Sequence, residues 1–233
     1  MKRMYLILAM VLSAMMLSCN PKDEDDNNNN GGGGGNGNNY EGIINGHGYV
    51  DLGLPSGLKW ATCNVGASSP EDYGNYYAWG EITTKSEYDY SNSATYELTI
   101  SQLQSQGYID GNGNLTPSHD AATANWGGSW RMPTKAECQE LVDECTWEWT
   151  TTQNGVIGAR VVGPNGKSIF LPAAGHRIYG SLSYAGGHGF YWSSSPHYYY
   201  NDHDAYSLFF NDGYDYVSAH GRYDGQTVRP ITE

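Results

Sequence analysis

The stretch GFYWSSSPHYYYNDHDAYSLFFNDGYDYVSAHGRYDGQTVR, residues 189–229, decides the fold. Two runs with alternating apolar residues, 205–210 and 214–219, flank Asn211-Asp212-Gly213. Alternation at period two on either side of an Asp-Gly turn predicts an antiparallel hairpin. Around it lie His197, Tyr198, Tyr199, Tyr200, Asn201, Asp202, His203, Asp204, Tyr206, Tyr214, Asp215, Tyr216, His220, Tyr223 and Asp224. A core built of these would need a partner for every phenol, imidazole and carboxylate. As a contact surface the mixture is well suited, because tyrosine offers broad, stiff, amphipathic area and Asn, Asp and Ser supply adaptable hydrogen bonds. These fifteen residues are therefore the expected ligand-binding set. The plainer alternative is a solvated strand edge with aromatic cross-strand pairs.

Working back from the hairpin, residues 190–192 read as a strand entering it, and residues 227–231 as a closing strand. The clearest helix begins at Thr134. Pro133 precedes it, and Thr134-Lys135-Ala136-Glu137 has the spacing of a capping box. Cys138, Leu141, Val142 and Cys145 then share one face at helical spacing, which predicts a core contact. Residues 49–54 and 58–63 form an expected hairpin about Pro55-Ser56-Gly57, and 156–162 with 167–171 another about Pro164-Asn165-Gly166. Between them, residues 82–115 are polar and aperiodic, with one short helix expected at 100–106; a second helical turn at 118–125 is expected to be capped by Ser118. Few helices, many short strands and long loops make an α+β pattern. Loops of this length are functional or unstructured.

The N-terminal segment is read as processing rather than fold. Lys2 and Arg3 precede an apolar run, residues 4–17, too short for a membrane span, and it ends at Ser18-Cys19. This resembles a bacterial lipoprotein signal, which implies residues 1–18 as signal peptide and Cys19 as the lipidated residue, although Met16 stands where such signals carry leucine. Lys22 followed by four acids resembles the surface-export signal of Bacteroidetes lipoproteins. Residues 27–39, nearly pure Asn and Gly, cannot bury apolar area and complete a tether over 19–40. Residues 41–233 remain for one domain. The expected location is the outer membrane, held by the lipid anchor and exposed at the cell surface. A net charge of −13 leaves nothing to neutralise phosphates and argues against nucleic acid.

With Cys19 lipidated, Cys63, Cys138 and Cys145 are left in a compartment that permits disulfides. Seven residues of helix place the Cα atoms of Cys138 and Cys145 about 10.5 Å apart, too far to bridge. Any bridge joins Cys63 to one of them. Cys63–Cys145 is the expected pair, and three reduced thiols are the alternative.

Several ordered segments carry a family resemblance: YVDLGLPSGLKWATCNVGA (49–67), YAWGE (77–81), WGGSWRMPT (126–134), FYWSS (190–194) and VRPI (228–231). Together they resemble the Fibrobacter succinogenes major paralogous domain of Bacteroidetes lipoproteins, across essentially the whole chain after the tether. The resemblance implies a C-type lectin-like fold, with terminal strands paired and a long irregular excursion presenting the binding face. It does not carry calcium-dependent sugar binding. Pro164-Asn165 follows Gly163, where a lectin site has Glu-Pro-Asn, and no Trp-Asn-Asp occurs. Nor does it carry formylglycine generation, since no cysteine follows Cys145. The Tyr, Asn, His and Asp codons of the C-terminal region share a middle adenine, which resembles target proteins of diversity-generating retroelements and implies a hypervariable face.

No HExxH or Cys/His spacing assigns a metal, no G-x-S-x-G assigns a nucleophile, and no cofactor is expected. The sequence therefore reads as a non-enzymatic, surface-anchored binding module or adhesin for a glycan or protein ligand. The alternatives are a structural envelope or fimbria-associated subunit, or a secreted enzyme on the formylglycine-generating type of fold.

Overall fold

The computed structural model describes residues 40–152, 154–198 and 203–233. The expected signal segment, the expected lipidation site Cys19 and the expected tether through residue 39 lie outside the described residues. In chain order come β1 (Gly42–Ile44), β2 (His47–Asp51), β3 (Lys59–Ala61), α1 (Ile100–Ser105), α2 (Ala121–Trp126), α3 (Lys135–Glu144), β4 (Thr146–Thr151), β5 (Ile157–Val162) and β6 (Ser168–Pro172). There follow β7 (His176–Ile178), β8 (Ser181–Ser183), β9 (His188–Pro196), β10 (Asp204–Asn211), β11 (Tyr214–Gly221) and β12 (Ile231–Thr232). The strands form small antiparallel sheets ordered β1-β2-β3-β12, β4-β5-β6, β11-β10-β9 and β7-β8. The α+β expectation holds at this level: small antiparallel sheets and few helices.

Three expected hairpins are present, as β2–β3, β5–β6 and β10–β11. The capping box at α3 is also formed, with Thr134 Oγ1 accepting from Glu137 N–H and the Glu137 carboxylate accepting from Thr134 N–H. Other expectations are corrected. The cap of α2 is Asp120, not Ser118, because the Asp120 carboxylate reaches the N–H groups of both Thr123 (2.9 Å) and Met132 (2.8 Å). The closing strand is short and late, β12 pairing Ile231 with Trp60, while Val228 and Pro230 bond to loop and strand as single carbonyl acceptors. Cys138 and Cys145 are free thiols, so the Cys63–Cys145 bridge does not form. Cys145 packs against the core around α3, whereas Cys63 lies in a separate buried cluster with Ala67.

Two apolar clusters explain the arrangement. The first gathers Leu141 and Cys138 of α3 with Trp60, Val161, Leu171, Leu208 and Phe210, where three sheets meet the helix. The second lies beneath the irregular segment and contains Trp79, Leu103, Ala122, Trp126, Trp130 and Trp192. Buried indoles need an acceptor, and here they stitch loop to strand. Trp79 Nε1 donates to Ser193 O (2.9 Å), Trp192 Nε1 to Tyr77 O (2.9 Å) and Trp130 Nε1 to Ile44 O (2.8 Å). These bonds order a long segment that has no ladder of its own.

Candidate binding face

Strand alternation divides the expected ligand-binding residues into two groups. β10 and β11 pair without a break from Asp204↔Gly221 to Asn211↔Tyr214. Period two sends Leu208 and Phe210 into the core around α3. Tyr206 goes the same way and is only 9% exposed, with the Lys135 ammonium 4.1 Å from its ring centre. His197 meets its edge at 5.0 Å, and Tyr198 donates to Gly113 O at 3.2 Å. Tyr198 and Tyr206 line a cavity of about 460 Å³ together with Asn112, Asn114, Lys135 and Ser195. Ser195 is not idle there, since its Oγ donates to Asn114 Oδ1 (2.6 Å) and accepts from Lys135 N–H (3.0 Å).

The opposite face of the sheet holds the other group. Phe209 sits across from Tyr216, with ring centres 4.9 Å apart, and Asn211 across from Tyr214. Tyr214 and Tyr216 are 67% and 46% exposed. β9 brings Phe190 to 5.1 Å from Phe209 and 5.1 Å from His220. The β7–β8 hairpin and the turn after it add His176, stacked on Phe190 at 4.7 Å, and Tyr184, edge-on to His188 at 4.9 Å. Asp224 Oδ2 lies 3.4 Å from His176 Nδ1. Burial holds the His220 imidazole below its ordinary pKa, partly opposed by the Asp224 charge. His188 Nδ1, His220 Nε2 and Asp224 Oδ1 are shielded from solvent with no hydrogen-bond partner among the described residues.

A third set of rings continues this face. Tyr96 stacks on His203 (4.7 Å) and meets Tyr223 edge-on (5.0 Å). Tyr90 stands 6.3 Å from Tyr96 and 6.5 Å from Tyr223, and Tyr179 6.4 Å from Tyr223. Tyr179 also occupies an unusual place. The β1–β2 turn uses Asn45-Gly46, with φ of 48° and 83°, the residue types that accept left-handed backbone. The β7–β8 turn has the same conformation but places Tyr179 at φ 47°, before Gly180 at 76°. Tyr184 is left-handed as well, at φ 60°. Two bulky aromatics thus hold a backbone region that disfavours them, and both point outward, 60% and 61% exposed.

Of the residues expected from the sequence, Tyr214, Tyr216, His220, His203 and Tyr223 lie on this face. Asp215 does not, since it pairs with Phe210 on the core side, where burial raises its carboxyl pKa. Tyr206 and Asp224 are buried rather than exposed, at 9% and 5%, and Asp204 is half-buried, its carbonyl taken by Arg222 Nε at 3.0 Å. Tyr199, Tyr200, Asn201 and Asp202 lie outside the described residues. The sequence reading missed Tyr90, Tyr96, Tyr179, Tyr184, His176, His188, Phe190 and Phe209. Only Tyr179-Gly180 carried a local signal, an aromatic in a two-residue turn.

No protein family, curated protein or solved structure matches this chain.

Proposed function

We propose that the protein is a surface-anchored lipoprotein binding module of C-type lectin-like fold that captures a protein partner through the aromatic face of β9–β11 and the β7–β8 hairpin. One observation carries the reading. Tyr179 and Tyr184 present exposed rings from left-handed backbone, a conformation that costs roughly 1–2 kcal/mol at each and that asparagine or glycine would hold with less strain. Strain kept at an exposed aromatic is what a contact residue selected for binding would show.

The face is open and broad, which suits a protein surface better than a small ligand. The cavities of about 480 Å³ and 460 Å³ are lined by other residues. Support for the lectin-like fold comes from β12 closing a sheet with β1–β3 and from the long excursion over residues 64–134. The lipid anchor at Cys19 rests on the signal-like N-terminus.

Tyr179→Asn tests the reading. Asparagine accepts the same turn, so the variant is expected to match or exceed the parent in melting temperature while losing capture of ligand from panels of envelope proteins and glycans. A glycan hit lost in the variant would replace the protein partner with a sugar. Unchanged capture of every binder would remove Tyr179 from the contact face.

A further inference from the structure

Resting on that reading, we propose that Tyr90, Tyr96, Tyr179 and Tyr223 form an aromatic box that receives the side-chain ammonium of a lysine on the partner protein. The four rings come from a 3-10 turn (Tyr90–Asn92), the loop after it, the β7–β8 turn and the segment following β11. The rings are steeply inclined to one another. Tyr223 stands at 82° to Tyr96 and 83° to Tyr90, and Tyr90 at 47° to Tyr96. Two of these rings, Tyr90 and Tyr179, are more than half exposed, so solvent reaches the cluster from their side.

Ring faces carry negative electrostatic potential, and a cation within about 6 Å of several of them is attracted by each. The surroundings add to this. Asp224 and Asp204 act on the Tyr96 hydroxyl, with Glu97 beside it, and Asp224 acts on Tyr223. Asp224 is 5% exposed, and its Oδ1 has no hydrogen-bond partner among the described residues. The neighbouring cations are committed elsewhere. Arg222 is buried against Thr95 O and Leu98 O, and Arg177 lies over the Tyr76 ring at 5.2 Å. A flat guanidinium prefers to stack on one ring, whereas steeply inclined walls suit a compact ammonium. On a chain of net charge −13, a basic partner is also the complementary one.

The test follows tyrosine ring resonances of the full-length protein by NMR during titration with N-acetyl-lysine methylamide, with tetramethylammonium, and with its neutral counterpart 3,3-dimethylbutanol. Saturable shifts are expected with both cations, on the order of millimolar, with the neutral alcohol roughly tenfold or more weaker. Tyr90→Leu should abolish them, and Tyr108→Leu, whose ring packs on His119 instead, should not. Equal response to the alcohol, or none to either cation, would overturn the box. Binding of tetramethylammonium without the lysine amide would overturn lysine as the occupant. Failure here is distinct from failure of the binding reading: a partner lost on Tyr179→Asn with no probe titration removes the box alone.

Discussion

The carboxylate of Glu137 grips the guanidinium of Arg131 at both ends, Nη1 to Oε2 at 2.7 Å and Nη2 to Oε1 at 2.6 Å, while the same Oε2 accepts the Thr134 N–H at 2.7 Å. One side chain thereby caps α3 and fixes the segment before it. Arg131 in turn exchanges both backbone bonds with Ile231 of β12, at 3.1 and 2.9 Å. Helix start, connecting loop and C-terminal strand meet at this pair.

Removal of that carboxylate should be costly. Burial alone would raise the Glu137 pKa, but the bonds from Arg131 and Thr134 outweigh it and hold it below the ordinary value. Its stabilisation is thus present above the unfolded carboxyl pKa and lost as pH falls through the lower folded one. Glu137→Ala is expected to cost about 2–3 kcal/mol in urea unfolding at neutral pH, against about 1 kcal/mol for Thr134→Ala. Glu144→Ala, on the exposed side of α3, should change little. Equal losses for Glu137 and Glu144 would show that the pair contributes nothing beyond helix propensity.

What was legible in the sequence follows from which signals are local. A capping box and a turn between alternating runs are set within a few residues, so α3 and β10–β11 were readable from Thr134-Lys135-Ala136-Glu137 and Asn211-Asp212-Gly213. The division of the tyrosines was not. β9 carries extra residues between Trp192, opposite Ser207, and Pro196, opposite Ala205. Alternation puts Tyr206 and Tyr216 on opposite faces of β10–β11, but packing against α3, which no local signal reports, decides that the Tyr206 face is the buried one. Tyr90, Tyr96 and Tyr179 reach the face from turns and aperiodic loops, where no period reports their direction. Their place depends on long-range bonds such as Arg222 to Thr95 O, 127 residues apart.

A second buried arginine supports the strands without any acid. Arg229 is 1% exposed and donates to Asn64 Oδ1 (2.8 Å), Ala61 O (3.0 Å), Thr62 O (2.8 Å) and Phe170 O (3.0 Å). Desolvation lowers its pKa to about 10, so it keeps its proton at neutral pH. Lysine cannot reproduce this fork. Arg229→Lys is expected to lose about 3 kcal/mol or more, and Arg229→Met at least as much, because four acceptors are then left unpaired. A loss under 1 kcal/mol for Met would mean that the acceptors find other donors.

His47 gives a pH signature. Its ring stacks on Trp126 at 3.6 Å and 3°, and burial lowers its pKa from 6.5 to about 4. The unfolded chain therefore takes up a proton that the folded one refuses. Stability contributed by neutral His47 is complete above pH 6.5 and drains away between 6.5 and about 4, by on the order of 3 kcal/mol. His47→Phe keeps a flat ring on Trp126 and removes the proton. The stability difference between parent and variant should accordingly shift in the variant's favour as pH falls through this window, and a constant difference would show that His47 titrates normally. Other groups titrating there, His220 included, cancel in the comparison.

The two tyrosine groups should separate cleanly. Tyr206 is 9% exposed beneath Lys135, so Tyr206→Ala empties a packed site and is expected to cost about 2–4 kcal/mol. Tyr214 and Tyr216 lie on the outer face of β11, and among the described residues only Tyr216 of the two has a ring neighbour, Phe209. Tyr214→Ser with Tyr216→Ser should cost no more than about 1 kcal/mol, the scale of one aromatic cross-strand pair. If the outer face is the contact surface, that double variant loses ligand capture while Tyr206→Ala, assayed below its melting temperature, retains it. The reverse pattern would transfer the binding site to the cavity beside Lys135, where Tyr206 and Tyr198 meet.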